Sequence, residues 1–468
     1  MKRIQILLLC AIMMIGSNTY AASFNDLGDQ GMISDPGQWG AVNTHDPSIV
    51  RDGDTWYVFS TDASYGNMHK CGVQVRASED LIHWDYLGTA FEDYANDCAE
   101  AIAAAGMDTD AHDGLWAPDA VKTGDTWRMY YSASTFGSSR SAIAMAESGS
   151  PLGPWTDKGI VIKSDANAVN GPNAIDPCIF TDTDGSQYMT YGSFFGGIFL
   201  TGLDEDGFAK GTPVRIAGFR GCRAEGSYLI YLPQTEYYYL FLSYGSLTSD
   251  YNIRVGRSKT VEGPYTDANG MKLTDLVASN ENRIGVKLMG GYHLKHTPGK
   301  GFSKGVKAPG HCSVYADGDV MYLVHHARTG TLPDYWFGMQ VRPMMLSEDG
   351  WPLVMPMSYQ GEDLTLSDKI PEGEYNLVCH GTESNAEPVS SQRVLLKDGM
   401  IEERGSYETD GDGRIRFTID EETYDGVCLW QHDDEREGWV MSISGISETG
   451  SCVWLSEETL HEQKGDQE

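Results

Sequence analysis

Three carboxylates in this chain occupy positions that a folding argument alone does not explain. Asp46 lies in HDPSIV, directly after His45, and Asp176 lies in AIDPCIF, where an apolar run begins. Glu225 lies in CRAEGSYLIY and is the only charge between Ala224 and Leu232. A charge buried without a partner costs several kcal/mol or gives up its ionisation, so such a residue is expensive unless it is used. Taken singly, each acid is explained as well by a strand-end position whose side chain reaches water. Taken together they are not: acids brought close repel, and their pKa values separate. Carboxyls with separated pKa values can protonate a leaving atom and activate water.

The elements that must bring them together are legible as a repeat. HDPSIVRDGDTWYVFSTD begins at His45, APDAVKTGDTWRMYYSAST at Ala117, IDPCIFTDTDGSQYMTYGSF at Ile175, AEGSYLIYLPQTEYYYLFLSYG at Ala224 and PGHCSVYADGDVMYLVHHAR at Pro309. Each phrase is a short motif with Asp, Glu or His, a few apolar residues, a turn of Asp, Gly or Pro, and an aromatic strand. The turns DGD, TGD and DTDG suit hairpins, and runs such as TWYVFS and VMYLVHH suit a pleated surface. AEAIAAAGM near residue 100 is the one segment that reads as a short helix. Five units of about four strands predict an all-β fold, a five-bladed β-propeller over residues 23–362. Residues that open successive phrases then meet at one axis, with Glu225 in the phrase position of Asp46 and Asp176. From about residue 363 the pattern changes to RVLLKD, RIRFTID, GVCLWQHD, WVMSISG and SCVWLSEE, which predicts a small C-terminal β-barrel or sandwich over 363–468.

The chain has 468 residues and a formal charge of −33, which argues against nucleic acid and polyanionic partners and is compatible with a neutral polymer. Residues 1–22 have the layout of a secretory signal peptide, with a basic start, an apolar run and Thr19-Tyr20-Ala21 before the cut. That run is shorter than a span, and lipidation at Cys10 is disfavoured because Leu9 precedes it. An exported, soluble monomer without a membrane span is expected, extracellular, periplasmic or at the cell surface. Export permits disulfides, and Cys71 with Cys98 is the expected pair. Cys178, Cys222 and Cys312 read as packing thiols, and no CxxC is present to suggest a thiolate zinc site.

HDPSIV, LWAPDA, AIDP, the AEG of RAEGSY and PGHCSV occur in the order found in glycoside hydrolase family 43. The chain resembles that family over nearly its whole length, most closely the extracellular endo-α-1,5-L-arabinanases of the two-domain type. The resemblance implies that Asp46 is the general base, Glu225 the general acid and Asp176 the residue that orients the acid and raises its pKa. Inverting hydrolysis suits that division, with carboxyls about 6.5–9.5 Å apart to leave room for water. It also implies sugar contacts from His45, from Gly114 and Trp116 of GLWAPD, from Asn173, Ala174 and Ile175, and from Ser193, Phe194 and Phe195 of YGSFF. Trp116 offers a stacking face, although a blade-packing role is an equal alternative. Relatives often carry Phe-Trp where this chain has Phe194-Phe195. His311 of PGHCSV matches a histidine that helps hold calcium, an ion that otherwise prefers oxygen ligands. His325 and His326 are adjacent in a strand, so at most one reaches the channel.

Three functions remain open on the sequence. The first is endo-cleavage of arabinan. The second is exo-action as an α-L-arabinofuranosidase or β-xylosidase, which uses the same three acids. The third is a non-catalytic carbohydrate-binding propeller, which predicts loss of one acid.

Overall fold

The computed structural model describes residues 21–27, 33–63, 70–109, 113–165, 171–219, 221–301, 303–330 and 336–464. The expected leader, apart from Ala21 and Ala22, lies outside them. Among the described residues no helix is long and apolar enough to cross a membrane.

Each of the five phrases folds into the two inner strands of one blade. Blade I orders Ser48–Asp52, Thr55–Ser60, Gln74–Ser78 and Asp85–Thr89 from the axis outward. Blades II, III and IV repeat this order, with inner strands Leu115–Thr123, Cys178–Thr181 and Ala224–Leu232. Blade V starts from Val306–Asp317. The inner strands touch their neighbours in a ring that closes from blade V back to blade I. The hairpin turns are built as the sequence requires: Gly53 of DGD and Gly124 of TGD have φ of 62° and 60°, where a side chain would be strained. The helix Ala99–Ala105 links blades I and II and stops at Gly106, which is left-handed.

The second and third strands, such as Thr126–Ala133 and Ala142–Ser148, are buried almost throughout, because blades stack face to face. That is why they read as unbroken apolar and aromatic runs rather than as alternations. The ring is also pinned by side chains. Asp119 on blade II accepts from Ser48 Oγ of blade I at 2.5 Å and from the Ile179 amide of blade III at 2.6 Å. Ser313 of blade V accepts from the Ile49 amide at 3.2 Å, and Cys178 Sγ accepts from the Leu229 amide at 3.3 Å. Cys178 is thus a buried packing thiol, as are Cys222 and Cys312.

Blade V is completed from both directions along the chain. Its third strand, Phe337–Leu346, pairs with Pro352–Val354 at one end, and at the other exchanges bonds with Ala41 and Asn43 ahead of blade I. Tyr292–His293 extends it on the inner side and pairs in parallel with Val389–Ser390, beyond the propeller. The C-terminal strands form a closed eight-stranded barrel, in which Gly373–Cys379 pairs with Cys452–Glu457 to close the circle. Tyr375, Leu377, Phe417, Trp430 and Ile443 fill its interior. Its outer face, with Val378, Leu429, Val440 and Trp454, shares one apolar cluster with Tyr292, Val306 and Trp351 of the propeller.

The expected Cys71–Cys98 disulfide is not formed; both are free thiols. Each has a tyrosine partner instead, Tyr94 for Cys71 and Tyr131 for Cys98, and burial pushes both thiols up. A fully buried Cys98 under the linking helix is a packing residue.

Candidate active site

The start of every inner strand carries one residue in the left-handed region: Asp46 (φ 52°), Ala117 (36°), Asp176 (58°), Gly226 (60°) and Ala308 (50°). In blades II, IV and V this residue lies at a register break between the first two strands. Such bulges re-aim side chains, and left-handed backbone on a non-glycine residue costs on the order of 1–3 kcal/mol. The recurrence corrects one expectation. Asp46 and Asp176 share a position, but Gly226, not Glu225, is their counterpart on blade IV. Glu225 stands one residue earlier, level with His45, Trp116 and Ile175. An acid offset by one residue leaves its strand in a different direction.

Asp46 is held on all sides. Its Oδ1 lies 2.9 Å from His45 Nδ1 and 3.3 Å from His311 Nδ1, and its Oδ2 accepts from Thr61 Oγ1 at 2.5 Å. Thr61 in turn accepts the Ala117 amide at 2.7 Å. The Asp46 amide donates to His326 Nδ1 at 3.1 Å, and the His326 ring stacks on His45 at 3.7 Å. Burial alone would raise the Asp46 pKa, but the His45 and His311 imidazoles carry it well below the usual carboxylate range.

Asp176 and Glu225 are shifted the other way. Burial and the neighbouring Asp46 carboxylate raise Asp176 to about 6, against the pull of His311 and of the Gly226 amide, which donates to its Oδ2 at 3.1 Å. Burial first, then Asp176, pushes Glu225 up to about 8. Tyr251 OH donates to Glu225 Oε1 at 2.9 Å, and its ring lies 6.0 Å from that of His326. The contacts therefore run from Glu225 through Tyr251 and His326 to Asp46. His311 answers all three acids: burial alone would lower it, but Asp46, then Asp176 and Glu225, carry it up to about 9. Its ring lies over Gly226, where a Cβ would come within 2.8 Å of His311 Cγ. The cluster thus combines one ionised acid, one acid that keeps its proton at neutral pH, and a compensating cation.

The other expected residues divide. Asn173 and Ser193 are buried and bonded to each other at 3.0 Å, and Asn173 Oδ1 also accepts from Ser141 at 2.8 Å. These bonds fix both side chains in place within the protein. Ala174 and Ile175 are buried, with the Ala174 amide donating to Ser164 and the Ile175 carbonyl accepting from Gly192. Gly114 is required by packing, since a Cβ there would come 2.3 Å from Cβ of Asp62. Trp116 and Phe194 are half-buried, and Phe195, in the turn after Ser193, is 42 % exposed. His325 points away from the acids, with Nδ1 3.0 Å from the His326 carbonyl oxygen and Arg342 nearby. Sequence reasoning missed Thr61 and Tyr251, which hold Asp46 and Glu225. Both end or follow second strands, where the phrases differ in length and give no register.

Imidazole nitrogens and one carboxylate already engaged by Thr61 and His45 do not supply calcium's oxygen shell. His45, Asp46 and His326 bring ligand atoms within 4.8 Å of one another, a nitrogen-rich set. The donors fit a divalent cation only if His311 holds it and water completes the shell. His311, carried up to about 9 by the three acids, itself places positive charge at this point.

Residues 40–352 match the model of glycosyl hydrolases family 43, and residues 356–455 match a C-terminal lipocalin-like domain. The chain is 34 % identical over 454 residues to the extracellular endo-α-(1->5)-L-arabinanase 2 of Bacillus subtilis (strain 168), covering 89 % of this chain and 93 % of the relative. It is 31 % identical to an extracellular exo-α-(1->5)-L-arabinofuranosidase of Cellvibrio japonicus (strain Ueda107), covering 67 % of this chain and 86 % of the relative. The crystal structure of endo-1,5-α-L-arabinanase from Thermotoga petrophila RKU-1 superposes with a TM-score of 0.80 at 32 % identity, covering 89 % of this chain and 98 % of that one.

Proposed function

The chain belongs to glycosyl hydrolase family 43, and from that membership we propose that it hydrolyses internal α-1,5 bonds of arabinan with inversion. The observation that carries the reading is the opposed tuning of two acids in one cluster: Asp46 is held ionised by His45, His311 and Thr61, while burial and Asp176 keep Glu225 protonated. Asp46 is the general base that draws a proton from water. Glu225 is the general acid that donates to the leaving oxygen, and Asp176 raises the pKa of that acid and positions it through the Gly226 amide. Deprotonated Glu225 could not serve the leaving group, so its raised pKa suits work at neutral pH. Trp116, Phe194 and Phe195 offer ring faces to the sugars, the first two half-buried and the third open.

Endo-action is favoured over exo-action because the two relatives that match across both the propeller and the barrel, at 89 % of the chain, are endo-acting, whereas the exo-acting relative covers 67 % of the chain. Extracellular relatives support export. Calcium is proposed at His311 with a water shell, where it would displace the imidazole proton and supply a fixed positive charge in its place; Asp46, Asp176 and Glu225 would then be its outer partners. Titration calorimetry with calcium on the native chain and on His311→Ala tests this, and equal heats from both would remove it.

The function is tested on linear arabinan, debranched arabinan and xylan. A rapid fall in viscosity with a ladder of arabino-oligosaccharides is expected from linear arabinan. Release of arabinose alone would establish the exo-acting alternative instead.

A further inference from the structure

We infer that the barrel loop His380–Ser384 is a positioning element for the acid of the propeller: Ser384, acting through Asn252 and Tyr251, holds Glu225 in line with the bond to be cut. This rests on the reading of Glu225 as the general acid and extends it to a second domain.

The turn that follows the second strand of blade IV carries Tyr251, whose hydroxyl holds Glu225. That turn is fastened by the side chain of Asn252, which is buried. Its amide donates to the carbonyls of Tyr244 at 3.0 Å and Asp250 at 2.9 Å, on either side of the turn. Ser384 Oγ, across the domain boundary, lies 3.1 Å from the same amide nitrogen and shares its two hydrogens with those carbonyls. Asn252 Oδ1 accepts from Arg254 Nε at 2.9 Å. Arg254 is buried, and its guanidinium reaches the carbonyls of Glu281 and Ile284 in the propeller and of Thr382 in the loop. Lys287, also buried, donates to the carbonyls of His380 at 2.9 Å and Glu383 at 2.6 Å. Two buried basic side chains of the propeller thus find acceptors on the barrel, and without them each would be left partly unsatisfied.

A second connection reaches Glu225 from its own strand. Arg223, two residues earlier, holds Asp250 Oδ2 at 2.8 Å and Glu281 Oε1 at 2.5 Å. Asp250 immediately precedes Tyr251, and the Glu281 carbonyl is one of the acceptors of Arg254. Both supports of Glu225, the strand behind it and the turn facing it, converge on residues that the loop engages. Fixing a catalytic group to within a fraction of an ångström is what such outer contacts do in an active site. Among the described residues no comparable connection ties the barrel to Asp46, whose hydrogen-bonding and ion-pair partners come from blades I and V.

The experiment uses the full chain with Ser384→Ala and Ser384→Thr, and Glu225→Gln in parallel. kcat and KM are measured on linear arabinan and on a 2,4-dinitrophenyl arabino-oligosaccharide, whose leaving group needs no protonation. Ser384→Ala leaves every backbone acceptor of the loop in place, so folding is expected to survive, and a cooperative thermal transition checks it. The expected result is a kcat on arabinan lower by about three- to tenfold with KM unchanged, and a loss under about twofold on the activated substrate. Ser384→Thr, which keeps the hydroxyl, is expected to restore kcat. Unchanged kcat on arabinan, or an equal loss on both substrates, overturns the inference. If Ser384→Ala gives either of these while Glu225→Gln discriminates between leaving groups, the loop inference alone falls. If Glu225→Gln does not discriminate, the acid assignment falls and takes the loop inference with it.

Discussion

At the residue scale, the site turns on environments that separate chemically similar groups. Glu225→Gln keeps the shape of the side chain but cannot donate as an acid, so kcat on arabinan should fall by about 10²–10⁴-fold while the thermal transition is retained. The sign of the pH dependence follows from the shifts. Glu225, raised to about 8, holds its proton through neutrality, so activity should decline above about that pH as the acid is lost. Asp46, depressed well below the carboxylate range, remains a competent base far into the acid region. Tyr251 donates to the ionised form of Glu225 and so pulls its pKa down. Tyr251→Phe should therefore move the alkaline limb to higher pH, and a pH profile of kcat on arabinan that does not move, or moves down, would contradict the assignment.

At the scale of elements, the propeller was legible because each blade repeats the same sequence of demands: a motif, a tight turn and a strand buried on both faces. The left-handed residue at the head of each inner strand was not, because Asp46, Ala117, Asp176, Gly226 and Ala308 have no side-chain chemistry in common. That gap produced the one-residue misplacement of Glu225 within the repeat. The Cys71–Cys98 pair failed for a related reason: spacing and an oxidising destination say nothing of whether two thiols face each other, and here each faces a tyrosine. Asn173 and Ser193 read as separate polar groups in the sequence, and only geometry reveals that they bond to each other. The ties between inner strands yield their own expectation. Asp119→Ala strands the Ser48 hydroxyl and the Ile179 amide in a buried ring, which should cost about 2–5 kcal/mol in urea unfolding. Asp119→Asn keeps an acceptor oxygen and should cost clearly less.

At the scale of the whole molecule, the apolar cluster shared by the propeller and the barrel makes them one folding unit. Trp454, on the barrel's last strand, is buried against Tyr292 at 5.0 Å, with His380 edge-on at 4.2 Å. Arg342 lies over both Tyr292 and Trp454. A separate barrel would place Val378, Leu429, Val440 and Trp454 in water, and a separate propeller would expose Tyr292, Val306 and Trp351. Apolar surface of that extent strongly favours joint folding, since each large side chain contributes about 1.5–3 kcal/mol on burial. The lipocalin-like barrel has its interior filled by its own side chains, so its outer face and its loop His380–Ser384 are what it offers the propeller. Calorimetry of the full chain should then give a single transition with equal van't Hoff and calorimetric enthalpies. Trp454→Ala should lower stability by about 3–5 kcal/mol and weaken that coupling, because the cavity falls between the domains rather than within one. Two resolved transitions in the native chain, with the propeller retaining activity after the barrel has melted, would show that the two units are stable apart and that the acid needs nothing from the barrel.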